Sequence, residues 1–91
     1  MKSGVYIMTN KINGCRYIGY STDIGSRFEA NKRELQRGSF GNKHQQFIDD
    51  YQQLGEEAFI SGIIEVTADE PSLMNQRAEK WKQIIQPEYN Q

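Results

Sequence analysis

The apolar and polar positions of the chain predict six short elements. Residues 5 to 8 alternate with a period of two, which is typical of a strand, and residues 16 to 20 form a second strand that returns beside it. Asn13-Gly14 between them is a strong signal for a type I′ hairpin turn, in which both central residues need positive φ. This hairpin carries Tyr6 and Tyr17 on neighbouring strands, and its register decides whether they share a face.

A helical pattern follows the hairpin. Ser21-Thr22-Asp23 offers N-cap residues, and Ile24, Phe28, Asn31 and Leu35 then fall at spacings of four, three and four, which predicts one mostly apolar stripe. The remaining elements are a loop over 37–42, a second helix from about 43 to 54, a strand over 58–66 with Gly62 as a candidate bulge, and a third helix that ends near residue 85.

The order strand, strand, helix, helix, strand, helix predicts an α/β fold. We expect a small, three-stranded, mainly antiparallel sheet flanked by three helices. The 91 residues are enough for one small domain, which we assign to residues 1–91.

Composition limits the function further. The formal net charge is −1, but the first 44 residues hold eight Lys/Arg and three Asp/Glu, whereas the rest hold three and nine. The basic half suits a polyanion, although a charged surface alone has the same appearance. The single Cys15 excludes an internal disulfide, and no apolar run approaches the roughly 20 residues of a membrane span. Because Met1-Lys2-Ser3 leads directly into a strand, we expect no signal peptide and a cytoplasmic protein.

Two tripeptides carry the strongest motif. Gly4-Val5-Tyr6 and Tyr17-Ile18-Gly19 place ten residues between their tyrosines, Arg27 lies in the helix that follows, and Pro87-Glu88-Tyr89-Asn90 closes the chain. In these features the sequence resembles the GIY-YIG nuclease family, most of all the catalytic domains of phage intron-type homing endonucleases. The resemblance implies the same fold, and a location in a bacterial or phage-infected cell.

The resemblance also implies a chemistry. Hydrolysis of a phosphodiester needs a base, a cation on the phosphate, and a metal or acid for the leaving oxygen. By motif, Tyr6 becomes the candidate general base, Tyr17 its partner, Arg27 the phosphate clamp and Asn90 a supporting polar group. The single histidine, His44, is chemically able to move a proton or contact a phosphate.

DNA is the expected partner, and one divalent ion, Mg²⁺ or Mn²⁺, the expected cofactor. The candidate DNA-binding residues are five of the basic side chains of the first half: Lys11, Arg16, Lys32, Arg33 and Lys43. Each candidate also has an ordinary structural explanation, since tyrosines are common strand aromatics and arginines are common on helix surfaces.

The chain departs from the family pattern in the last helix. Related domains carry their metal-binding glutamate three residues before an aromatic residue and nine before the Pro-x-Tyr-Asn ending. The count back from Trp81 and the count back from Pro87 both lead to Ala78, whose side chain has no oxygen to bind a hard cation. Glu79 is rotated by about 100° along the helix and is expected to point away.

Two explanations of Ala78 remain open. A nuclease has undergone an engineered or recent glutamate-to-alanine change, which we favour, or the chain is a natural relative that binds nucleic acid without cutting it. We expect metal binding and cleavage to be lost in either case. A third hypothesis is a protein-interaction domain on the same fold, which predicts no DNA binding at low salt.

Overall fold

The computed structural model describes residues 1–41 and 44–91. Its elements are β1 (Gly4–Asn10), β2 (Arg16–Ser21), α1 (Ile24–Arg37), α2 (Gln45–Leu54), β3 (Phe59–Val66) and α3 (Pro71–Ile85), with single 3₁₀ turns at Glu56–Ala58 and Glu88–Asn90. The predicted order of elements is confirmed. None of the helices in these two ranges has both the length and the apolar composition to span a bilayer.

The three strands form one antiparallel sheet in the order β2-β1-β3, which confirms the predicted fold class. Tyr6 lies opposite Gly19, and Met8 lies opposite Tyr17. Because residues two apart in a strand point to the same side, this register puts Tyr6 and Tyr17 diagonally on one face. The strand β2 is an outer strand, and its free edge borders the candidate site described below.

The hairpin turn differs from the predicted type I′ turn. Residues 11–15 form a five-residue loop. Gly14 in this loop has φ 79°, but Asn13 does not have the positive φ that a type I′ turn requires. The side chain of Asn10 closes the loop, because its Oδ1 accepts from the backbone N–H of Ile12 at 2.9 Å and of Asn13 at 3.4 Å. An asparagine that bonds its own downstream backbone makes an alternative turn, and this alternative prevails over the Asn-Gly signal.

The bulge also lies elsewhere than predicted. Gly62 pairs regularly with Ile7, while Val5 pairs with Glu65 and Tyr6 with Ile63. The extra residue is therefore Ile64, which packs in the apolar cluster beneath α3. Packing of a large side chain, and not the flexibility of a glycine, determines the position of this irregularity.

Helices cover both faces of the sheet. On one face, α1 and α2 enclose a cluster that contains Tyr6, Met8, Leu35 and Phe47. On the other face, α3 covers a smaller cluster of Val5, Ile18 and Ala78, edged by Trp81. This alternation follows the period of two in β1, where even-numbered side chains face α1 and odd-numbered ones face α3. The domain thus has two separate apolar clusters with the sheet between them.

Candidate active site

Close contacts with neighbouring strands explain both glycines of the tripeptide motifs. At Gly19 an added Cβ would lie 2.5 Å from the Tyr6 hydroxyl oxygen and 2.6 Å from its Cζ atom, so the Tyr6 ring occupies the space of a side chain. At Gly4, φ is 150° and an added Cβ would overlap the carbonyl oxygen of Glu65 on β3. The motif therefore allows the Tyr6 ring to lie directly on β2.

Tyr6 is buried, and a buried amide holds its hydroxyl group. Its hydroxyl accepts a hydrogen bond from Nδ2 of Asn31 at 3.0 Å, and Asn31 is itself 1% exposed. Burial raises the pKa of Tyr6, and the hydrogen bond from Asn31 and the charge of Arg27 oppose this shift only in part. The phenol is therefore protonated at neutral pH and can donate a hydrogen bond into the site.

Tyr17 lies among aromatic rings. Its ring centroid is 5.3 Å from those of Phe40, Phe47 and His44, and 6.3 Å from that of Tyr6. Burial, and after it the neighbouring Tyr6 hydroxyl, raises the pKa of Tyr17 well above its usual value near 10. Tyr17 is thus a second neutral phenol, fixed in orientation by its aromatic neighbours.

His44 has a defined hydrogen-bonding role. Its Nδ1 lies 3.0 Å from the carbonyl oxygen of Tyr89, and its ring stands edge-on to Tyr17. Because a carbonyl oxygen only accepts, Nδ1 carries the hydrogen, and in the neutral ring Nε2 keeps a lone pair. The geometry makes Nε2 a proton acceptor at the wall of the site.

A cleft of ≈ 330 Å³ brings four of the predicted residues together: Tyr6, Tyr17, Arg27 and His44. Arg27 is exposed and forms no ion pair with any carboxylate in the described part of the chain. Its positive charge lowers the pKa of both tyrosines, although burial has the larger effect. The cleft thus combines one unpaired guanidinium with two phenols and an imidazole, a combination that suits a phosphate group.

Asn90 does not line this cleft. Its Oδ1 accepts from the backbone N–H of Ile18 at 2.8 Å, and its Nδ2 donates to the carbonyl oxygen of Ile18 at 2.9 Å. It therefore satisfies the free edge of β2 between Tyr17 and Gly19. The position of Asn90 makes it a support for the strand that carries the site.

The side chains of α3 differ from the metal-binding arrangement that the family resemblance implies. Ala78 is fully buried against Val5 and Ile18, and Glu79 is exposed, as expected. Among residues 1–41 and 44–91, no three His, Cys, Asp or Glu side chains are grouped so that they could hold a metal ion. The side chains present at this position do not fit a divalent cation, which needs oxygen ligands.

The cleft is also lined by one amide and two charged side chains that the sequence did not assign to it: Asn31, Glu34 and Lys82. Asn31 interrupts the apolar stripe of α1, and a buried amide requires a partner, so this signal was available in the sequence. Glu34 lies seven residues after Arg27, on the same side of the helix. Lys82 comes from α3, on the other face of the sheet, and only the packing of that helix brings it here.

The predicted DNA-binding residues are spread over the surface. Arg33 lines a second groove, which shares Arg27 with the main cleft, so these two arginines are neighbours. Arg16 and Lys32 are ion-paired, at 3.7 Å with Glu88 and 3.8 Å with Glu29. Lys11 is exposed in the hairpin loop, and Lys43, where the second helix was expected to begin, lies outside the described residues.

The known proteins that resemble this chain are all of one kind. The sequence model described as the GIY-YIG catalytic domain matches residues 2–90. Two solved structures are similar over most of the chain. A mutant catalytic domain of intron endonuclease I-TevI, with a glutamate replaced by alanine, has TM-score 0.79 and 28% identity, and the match covers 91% of this chain and 82% of that one. The catalytic domain of homing endonuclease I-TevI has TM-score 0.77 and 25% identity, with 90% and 86% covered. The curated proteins contain no significant match.

Proposed function

The chain belongs to the GIY-YIG family of catalytic domains, and from this premise we propose that it is a DNA endonuclease domain in which alanine occupies the metal-ligand position. The observation that carries the proposal is the cleft that gathers Tyr6, Tyr17, Arg27 and His44. Similarity to a homing endonuclease catalytic domain supports DNA as the substrate.

Arg27 is the residue that we assign to the scissile phosphate. A guanidinium offers planar, paired donors, and no carboxylate of the described residues forms an ion pair with it. It therefore meets an incoming phosphate without first breaking a salt bridge, and it can offset the charge that develops on the phosphate oxygens during hydrolysis.

Hydrolysis also needs a group that accepts a proton. With its raised pKa, Tyr6 acts as a base only where added positive charge stabilises the phenolate. On His44 the hydrogen bond from Nδ1 to the carbonyl oxygen of Tyr89 leaves the lone pair of the neutral ring on Nε2, which is the nitrogen free to accept a proton. We therefore assign proton removal to His44, and to Tyr6 and Tyr17 the positioning of water and phosphate by hydrogen bonds.

Members of this family generally use a divalent metal ion. We propose that position 78 is where a glutamate would hold a single Mg²⁺ or Mn²⁺, and that Ala78 leaves this chain able to bind DNA but unable to cleave it. The ion, when bound, supplies positive charge to the leaving oxygen. Ala78 lies against Ile18, and Ile18 also lines the cleft, so a longer side chain at position 78 starts close to the site.

Plasmid cleavage in Mg²⁺ or Mn²⁺ tests the proposal. We expect Ala78→Glu to nick or linearise the plasmid and the chain as it stands to leave it supercoiled. Ala78→Gln is the matched control, because it adds the same volume without a charge. Adding Arg27→Ala to Ala78→Glu should abolish the restored activity. Cleavage by Ala78→Gln as well would contradict the assignment of position 78 to a metal ligand.

The alternative function is a nucleic-acid-binding module without catalysis. One observation favours it: Ala78 is 0% exposed in an apolar cluster with Val5 and Ile18, so its methyl group suits its surroundings. This alternative predicts that both the chain and Ala78→Glu bind DNA in a salt-sensitive way and that neither cuts. Absence of DNA binding at low salt would instead favour a protein-interaction domain.

A further inference from the structure

Lys82 reaches the cleft from the face of the sheet opposite to Arg27. It lies one helical turn after Ala78, and residues four apart share one side of a helix. The side chain of Glu65 on β3 fixes the orientation of α3, because it accepts from Nε of Arg77 at 2.8 Å and from Nε1 of Trp81 at 2.9 Å. In this orientation Ala78 is buried in the cluster with Ile18, while Lys82 lines the cleft.

The charge of the cleft depends on this lysine. Arg27 and Glu34 both line it and carry opposite charges, so together they add no net charge to the cleft. Lys82 adds a second cation and leaves the lined surface net positive. The Lys82 side chain is 31% exposed, and Glu79, which lies 3.3 Å from its ammonium, is 56% exposed, so this ion pair is a weak competitor.

We infer that Lys82 replaces the positive charge of a metal ion in this cleft, so that the domain binds a DNA phosphodiester between Arg27 and Lys82 without a divalent cation. The inference rests on the proposed function, since it requires that the cleft receives a nucleic-acid backbone. The inference also explains why Ala78 offers no ligand for a cation. The same side of α3 presents the positive charge of Lys82 instead.

Fluorescence anisotropy with a short labelled DNA duplex in EDTA tests the inference. We compare the chain with Lys82→Met and with Lys80→Met, which removes the same charge from an exposed site on the same helix that does not line the cleft. We expect Lys82→Met to weaken binding by about fivefold or more and to reduce the salt slope by about one. Lys80→Met should change the affinity by less than about twofold.

Each outcome decides a separate point. If the unmodified chain binds DNA and the two variants bind it with equal affinities, the role of Lys82 is overturned and the proposed function stands. No binding by the unmodified chain at low salt would overturn both. Mg²⁺ at matched ionic strength should leave the affinity of the unmodified chain unchanged within about twofold, and a clear gain would show that a metal ion still occupies the cleft. Circular dichroism verifies that both variants are folded.

Discussion

The side-chain amide of Asn90 and the backbone of Ile18 form a closed pair, with one hydrogen bond in each direction at 2.8 and 2.9 Å. Asn90 therefore occupies the place of a neighbouring strand at the free edge of β2. An unpaired edge attracts other strands, and this amide satisfies the edge at the residue between Tyr17 and Gly19. The last turn of the domain thus holds the strand that carries half of the site.

Replacement of Asn90 should lower stability more than its position near the end of the sequence suggests. Asn90→Ala removes two part-buried hydrogen bonds, and we expect a loss of about 1–3 kcal/mol in the free energy of unfolding, measured in urea. Asn90→Asp should lose at least as much, because a carboxylate cannot donate to the Ile18 carbonyl oxygen. Asn75→Ala, at an exposed position in α3, is the control and should be nearly neutral. Equal effects at positions 75 and 90 would contradict this role.

Addition of one methyl group at Gly19 should displace Tyr6. A Cβ at this position lies 2.5 Å from the Tyr6 hydroxyl, and the buried ring has little space to move into. We expect Gly19→Ala to cost about 1–3 kcal/mol in thermal or urea unfolding and to abolish cleavage in the Ala78→Glu background.

Gly25→Ala is the matched control for Gly19→Ala. Its Cβ would meet only Oδ1 of Asp23 at 3.8 Å, and alanine is favoured in a helix by up to about 1 kcal/mol. The two glycine-to-alanine changes are therefore expected to shift the melting temperature in opposite directions. A neutral or stabilising Gly19→Ala would mean that the Tyr6 ring does not need this space.

The tyrosines predict the response to alkali. Burial raises the pKa of Tyr6, Tyr17, Tyr51 and Tyr89 above the usual value near 10. The folded state therefore favours the neutral phenols. The stability that this preference contributes is fully present below about pH 10 and is lost as pH rises through the folded pKa values. We expect phenolate absorbance to appear together with unfolding.

Single tyrosine variants test the alkaline response. Tyr17→Phe should move alkaline unfolding to higher pH, because one group that ionises only in the unfolded state is removed. Tyr20→Phe, at a position that is 40% exposed, should leave the midpoint unchanged. If phenolate absorbance from four tyrosines appears while circular dichroism still reports a folded chain, the burial of these phenols is not what controls their ionisation.

A glutamate at position 78 should make stability depend on metal ions. The position is fully buried, so a carboxylate there is desolvated and its charged form is disfavoured. We expect Ala78→Glu to melt several degrees below the parent chain in EDTA and to recover in Mn²⁺, because a ligand that binds only the folded state stabilises it. Ala78→Gln should melt low in both conditions. The same melting temperature for Ala78→Glu with and without Mn²⁺ would rule out a metal site there.

The sequence predicted the features that depend on local periodicity and spacing. Alternation in β1 and the stripe from Ile24 to Leu35 indicated the strand and the helix. The hairpin pattern put Tyr6 and Tyr17 on neighbouring strands, and only the register of the structure showed that they share a face. The five-residue turn escaped prediction, because the Asn10 side chain competes with the Asn-Gly signal. Lys82 escaped it too, because its place in the cleft depends on which face of the sheet α3 covers.

The two cations of the cleft stand on helices that pack against different apolar clusters. Arg27 lies on α1, which covers the cluster around Leu35 and Phe47, whereas Lys82 lies on α3, which covers the cluster of Val5, Ile18 and Ala78. A conservative volume change beneath α3 would therefore alter the span between the two cations while the packing of Tyr6 stays intact. We therefore expect variation in the smaller cluster to change the width of the cleft without any change of Arg27 or Lys82.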